Sequence, residues 1–71
     1  MENRVKSRRL ELGLSQAALA RRAKMNQTHV GEIERQERVA WPKAVEEISL
    51  ALGVDAQTLF DERGFAREAD D

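Results

Sequence analysis

Apolar residues along this chain recur at helical rather than alternating spacing, and β-branched residues never accumulate. The spacing therefore predicts an all-α chain. A first helix is expected over residues 3–12, carrying Val5, Arg9 and Leu12 on one stripe and ending at Gly13 in a left-handed cap. Ser15 suits the N-cap of a second helix over 16–23, which turns Leu19, Ala20 and Ala23 inward. Asn26 caps a third over 27–35, whose Val30 and Ile33 lie three apart and must face the core. A loop over 36–41 follows. Pro42 fits the first turn of a fourth helix, where its missing N–H costs nothing; Val45, Ile48 and Leu52 form its buried stripe and Gly53 stops it. Asp55 is expected to cap a fifth over 56–62, with Leu59 inward. Residues 1–63 thus make one compact five-helix domain, and the polar residues 64–71 read as a disordered tail.

The buried pair of the third helix fixes its other face. A step of about 100° per residue sends Gln27, Thr28, Gly31 and Glu32 to the far side. That row is small, polar and almost neutral, although the neighbourhood is basic. Residues 1–43 hold ten Lys/Arg against five acids, a net +5, whereas residues 44–71 hold two against eight, a net −6. The overall charge of −1 conceals this division, which suits a face meant for a polyanion, although clustered charges can also be no more than solvated faces.

Other chemistries find little support. With no cysteine there is neither a disulfide nor a thiolate metal site, and a single histidine, His29, makes no metal centre. No metal and no cofactor is expected. The adjacent Glu46 and Glu47 diverge around a helix rather than sharing a site, and no glycine-rich phosphate loop is present, so catalysis is not expected. No apolar run approaches the ~18 residues of a membrane span, and the charged first ten residues are unlike a signal peptide. The expected setting is the cytoplasm, with no membrane and no small-molecule partner.

Two short helices joined by a tight turn, SQAALARRAKMNQTHVGEIE, form a helix-turn-helix. The wider run RVKSRRLELGLSQAALARRAKMNQTHVGEIE, together with EEISLALGVDAQTLF, resembles the amino-terminal DNA-binding domain of lambdoid phage repressors and the broader Cro/repressor-type (XRE-like) helix-turn-helix family. The resemblance covers residues 4–60 and rests on LSQ at 14–16, the pair Leu19 and Ala20, the pair Ile33 and Glu34, and ALGV at 51–54.

This resemblance implies a transcriptional regulator, a repressor, that binds double-stranded DNA with its third helix in the major groove. Gln27 would then read an adenine edge, Thr28 a thymine methyl or a base edge, and Glu32 either a cytosine amine or nothing, folding back onto a nearby arginine. Gly31 would give clearance for the groove, or be a tolerated surface glycine. Ser15 and Gln16 would meet phosphate at the start of the second helix, Gln16 braced against Gln27. His29, Arg35, Arg38 and Lys43 would supply further backbone or mixed contacts, the alternatives being that His29 half-packs against the second helix and that the other three are simply solvated. Arg9 and Glu34 would form a buried structural ion pair. Leu50, Ala56, Gln57 and Phe60 would provide a homodimer contact, with ordinary core packing the other reading of Phe60, and a palindromic operator with half-sites about 10 bp apart would follow. The chain departs from the family at Gln36, where glycine is common, so the third helix is free to run on. Trp41 is expected in loop or core packing, or at a dimer surface, away from the third helix. A protein-interaction module on the same fold, such as an antitoxin gripping its toxin, is the alternative.

Overall fold

Side chains at three helix starts satisfy backbone N–H groups that would otherwise have no partner. In the computed structural model, which describes residues 3–69, Asn3 accepts from the N–H of Lys6 at 2.9 Å, Ser15 from Ala18 at 3.0 Å and Asn26 from Thr28 at 2.7 Å. These open α1 (Arg4–Glu11), α2 (Gln16–Arg22) and α3 (Gln27–Glu34). Pro42 opens α4 (Pro42–Leu52), and Asp55 precedes α5 (Ala56–Leu59) without the side-chain cap expected of it. Helix α2 packs on α3 and α4, α4 on α5, and α5 on α1. The chain is a compact all-α domain of five helices among the described residues.

The predicted stripes meet in one core. Val5, Leu19, Val30, Ile33 and Ile48 are fully buried, with Leu52 and Leu59 scarcely more exposed. Leu12 is the exception. Helix α1 stops at Glu11, and Gly13 turns the chain at φ +70°, so Leu12 sits at the cap and is 41% exposed.

Helix α3 also ends sooner than glycine-free residues 35–37 suggested. Gln36 itself takes the left-handed conformation at φ +61°, and its side-chain amide donates to the carbonyl of Ala66 at 2.6 Å. That bond offsets the strain of an L-residue there. Buried Asn3 fastens the same helix end: its amide donates to the carbonyls of Ile33 and Glu34 at 3.3 and 2.7 Å. One residue therefore caps the start of α1 and the end of α3.

The largest departure is the segment expected to be a disordered tail. Helix α5 ends at Leu59, the backbone of Phe60 becomes extended, and the chain folds back. Asp61 N–H donates to the Phe65 carbonyl at 2.9 Å, Arg67 N–H to Leu59 at 2.8 Å, and Arg4 N–H to Arg67 at 2.7 Å. Isolated antiparallel bridges join Phe60 to Ala66 and Asn3 to Glu68. Burial alone would raise the Asp61 carboxyl, but N–H donation from Phe65 and Arg63 and the Arg63 charge hold it below its ordinary range. Residues 64–69 are thus part of the body, pinned by backbone pairing and by Ala66, which is buried in the core; residues 70 and 71 of the expected tail lie outside the described residues. Phe60, for which the resemblance implied a dimer contact and core packing was the other reading, is 3% exposed and belongs to the core.

Candidate nucleic-acid interface

The end of α3 is anchored by charge as well as by packing. The Arg9 guanidinium meets the Glu34 carboxylate twice, Nε to Oε2 at 2.7 Å and Nη2 to Oε1 at 3.0 Å, with both side chains nearly inaccessible. Arg9 also donates to the Leu14 carbonyl at 2.8 Å, tying the entry of α2 to the same group. The Gln16 amide completes the cluster, donating to Glu34 Oε1 at 3.1 Å. Gln16 is therefore braced on Glu34, where the resemblance had implied Gln27. Glu34 is the nearer strong acceptor because α2 begins beside the carboxylate that Arg9 already holds.

Gln27 and Thr28 lie exposed in the first turn of α3, and their side chains make no hydrogen bond among the described residues. Ser15 is exposed and spends its hydroxyl on the cap. Glu32 is held by Arg38, Nε to Oε1 at 2.8 Å. That hydrogen bond keeps the Glu32 carboxyl below its ordinary range, against partial desolvation, with the charges of Arg38, His29 and Arg35 adding to it.

Gly31 is covered instead of lying open in the outward row. A Cβ built there would stand 3.0 Å from Nη1 of Arg35 and 3.6 Å from Oε1 of Gln16. The helical step places this position on the outer face correctly, but long side chains fold over the gap. The obstruction is the tip of a flexible arginine, so Gly31→Ala is expected to raise stability by up to ~1 kcal/mol through helix propensity while displacing that guanidinium. Urea denaturation tests this; a loss of more than ~1 kcal/mol would mean that Arg35 cannot yield.

Trp41 was expected away from α3 and stands beside it. Its ring meets His29 edge-on, centroids 5.4 Å apart and planes at 86°. Twelve residues separate the two along the chain, and no periodicity links them. The loop over 36–41 returns toward α3 before α4 begins, which is what brings the rings together. Trp41 remains 37% exposed, so the pair forms part of the surface next to α3.

The other cations near the exit of α3 each have an acid. Arg35 Nε lies 3.1 Å from Glu37 Oε2, and Lys43 Nζ 3.6 Å from Glu47 Oε1, the latter one turn along α4. By contrast Arg21, Arg22 and Lys24, at the end of α2 and in the turn that follows, are exposed without an acidic partner among the described residues. Lys24 makes that turn at φ +57°. Of the residues expected at a dimer contact, Leu50 is 72% exposed, Gln57 is exposed and Ala56 is half-buried.

No group of three or more His, Cys, Asp or Glu among the described residues could hold a metal ion, and no helix is long and apolar enough to cross a membrane. A comparison with curated proteins gives no match. The family described as helix-turn-helix matches residues 5–59, most of the chain. That span contains α1 to α5 almost entire, with the turn between α2 and α3 at its centre, and the chain belongs to the Cro/repressor-type helix-turn-helix family.

Proposed function

We propose that the protein is a sequence-specific transcriptional repressor that binds a palindromic operator as a homodimer, with α3 in the major groove. The family consists of non-catalytic DNA-binding modules, so the activity is recognition. One observation carries the reading. Gln27 and Thr28 are exposed in the first turn of α3 with their hydrogen-bonding groups unspent, while Gln16, Glu32, Glu34, Arg35 and Arg38 around them are all engaged within the chain. Base edges present a neutral pattern of donors and acceptors, which an amide and a hydroxyl can match.

In this reading Gln27 pairs with an adenine and Thr28 contacts a neighbouring base. Glu32 contributes to base reading only where a cytosine amine draws it from Arg38. The first turn of α2 at Ser15 and Gln16 meets phosphate, as do His29, Arg35, Arg38 and Lys43 on the other side of the groove. Leu50, Ala56 and Gln57 supply the dimer contact; burial removes Phe60 from it.

Selection from a randomised duplex pool at roughly physiological salt tests the proposal, since long-range phosphate attraction is then screened. An enriched palindrome is expected. No enrichment from folded protein would point to a partner-binding module instead. With a site in hand, Gln27→Ala is expected to lose ~1–3 kcal/mol of discrimination at one base pair per half-site. Arg35→Ala should weaken binding to all variants of the operator alike and flatten the salt dependence of operator binding by about one unit. Equal loss of discrimination from both variants would overturn this division of labour.

A further inference from the structure

The two arginines at the exit of α3 are each held by a carboxylate of the same chain. Arg38 Nε reaches Glu32 Oε1 at 2.8 Å and Arg35 Nε reaches Glu37 Oε2 at 3.1 Å. All four side chains keep contact with water, from 27% exposed at Glu32 to 57% at Arg35. A carboxylate offers a guanidinium the same kind of planar, charged acceptor as a phosphate does. We infer that Glu32 and Glu37 act as built-in competitors for phosphate at Arg38 and Arg35, holding down the protein's attraction for DNA of any sequence.

The inference rests on the DNA-binding reading above and adds a control on it. A cation already paired within the protein must give up its carboxylate before it neutralises a phosphate, so its net gain on DNA is small. Binding without sequence preference draws almost all its affinity from such neutralisation. It is therefore the mode most weakened by paired arginines. Only a site that adds contacts from Gln27 and Thr28 then rises above the background. Glu32 has a second effect, because it sits on α3 itself and brings negative charge to the face that would enter the groove.

Neutralising the two acids should release both arginines. The pairs are exposed, and exposed pairs contribute little to folding, so E32Q/E37Q is expected to fold like the unmodified chain. Glu46 and Glu62 are also exposed and have no ion pair among the described residues, which makes E46Q/E62Q a control of identical net charge. The measurement is binding of the full chain to a random-sequence duplex over a series of salt concentrations. For E32Q/E37Q the slope of log K against log salt should steepen by roughly 0.9 per released arginine, about 1.8 in all. Affinity near 0.1 M salt should rise on the order of 10- to 60-fold, while the control should move far less.

If E32Q/E37Q matches the control, the inference fails, even where the selection experiment has returned an operator. It fails equally if neither protein binds random DNA, since two freed guanidiniums should bring that binding into range. A steeper slope and tighter binding without any enriched operator would uphold the competition and overturn the operator reading instead.

Discussion

Gly64→Ala is expected to cost about 3 kcal/mol of folding stability, although the residue lies far along the chain from α3. Two effects add. Gly64 has φ +92°, a conformation that costs a residue with a Cβ roughly 1–2 kcal/mol. A Cβ there would also stand 2.5 Å from the carbonyl oxygen of Ala40 and 3.2 Å from Cγ1 of Val39. Backbone cannot swing aside as a side-chain tip can, and such overpacking costs ~1–3 kcal/mol. Ala40 N–H also donates to the Gly64 carbonyl at 2.9 Å, so separating the segments to relieve the clash would break that bond.

A single core in a chain of this length supplies only ~3–5 kcal/mol, so the variant should approach the edge of folding. The melting temperature should fall by roughly 12–24 °C, at ~4–8 °C per kcal/mol. Gly53→Ala provides the comparison. Gly53 has φ +70° with nothing within 4 Å of its would-be Cβ, so its replacement incurs the conformational cost alone. Thermal melts of the two variants separate the effects; equal losses would show that the returning segment moves off the loop without penalty. The loop in question carries Arg38 and ends at Trp41, so loosening it would also free the surface beside α3.

That dependence on residues 60–69 was not legible in the sequence, and the reason is physical. Helices announce themselves locally: Val30 with Ile33, or Val45, Ile48 and Leu52, repeat at the helical period, and Ser15 and Asn26 cap within three residues. The returning segment has no such signal. Its attachment comes largely from backbone pairing with Leu59, Ala40 and Arg4, whose positions only the folded chain brings near, and its apolar residues Phe60, Phe65, Ala66 and Ala69 follow no helical period.

The candidate site divides in the same way. The outward position of Gln27 and Thr28 follows from the helical step alone. The cover over Gly31, the bracing of Gln16 on Glu34 and the approach of Trp41 to His29 depend on where long side chains and a loop come to rest. Arg9 and Glu34 are 25 residues apart, and only the family resemblance suggested that they meet.

Their meeting sets the second large effect. Glu34→Ala is expected to cost ~3–5 kcal/mol, because it leaves the Arg9 guanidinium buried without its bidentate acceptor. The Leu14 carbonyl still accepts from Nη1 of Arg9, but a neutral carbonyl does not replace a bidentate carboxylate. Gln16 loses its acceptor in the same step, so the entry of α2 should loosen as well. The ion pair need not be a large net stabiliser for this to hold. Bringing two charges out of water costs nearly as much as their attraction returns, so the damage comes from separating them. An Arg9→Met, Glu34→Leu double replacement should consequently be far less harmful than either of its single changes. Urea denaturation of the unmodified protein, Arg9→Met, Glu34→Leu and the double variant closes the cycle. Losses that simply add would mean that Arg9 and Glu34 act independently, and that the carbonyl bonds from Asn3 to Ile33 and Glu34 suffice to hold the end of α3 against α1.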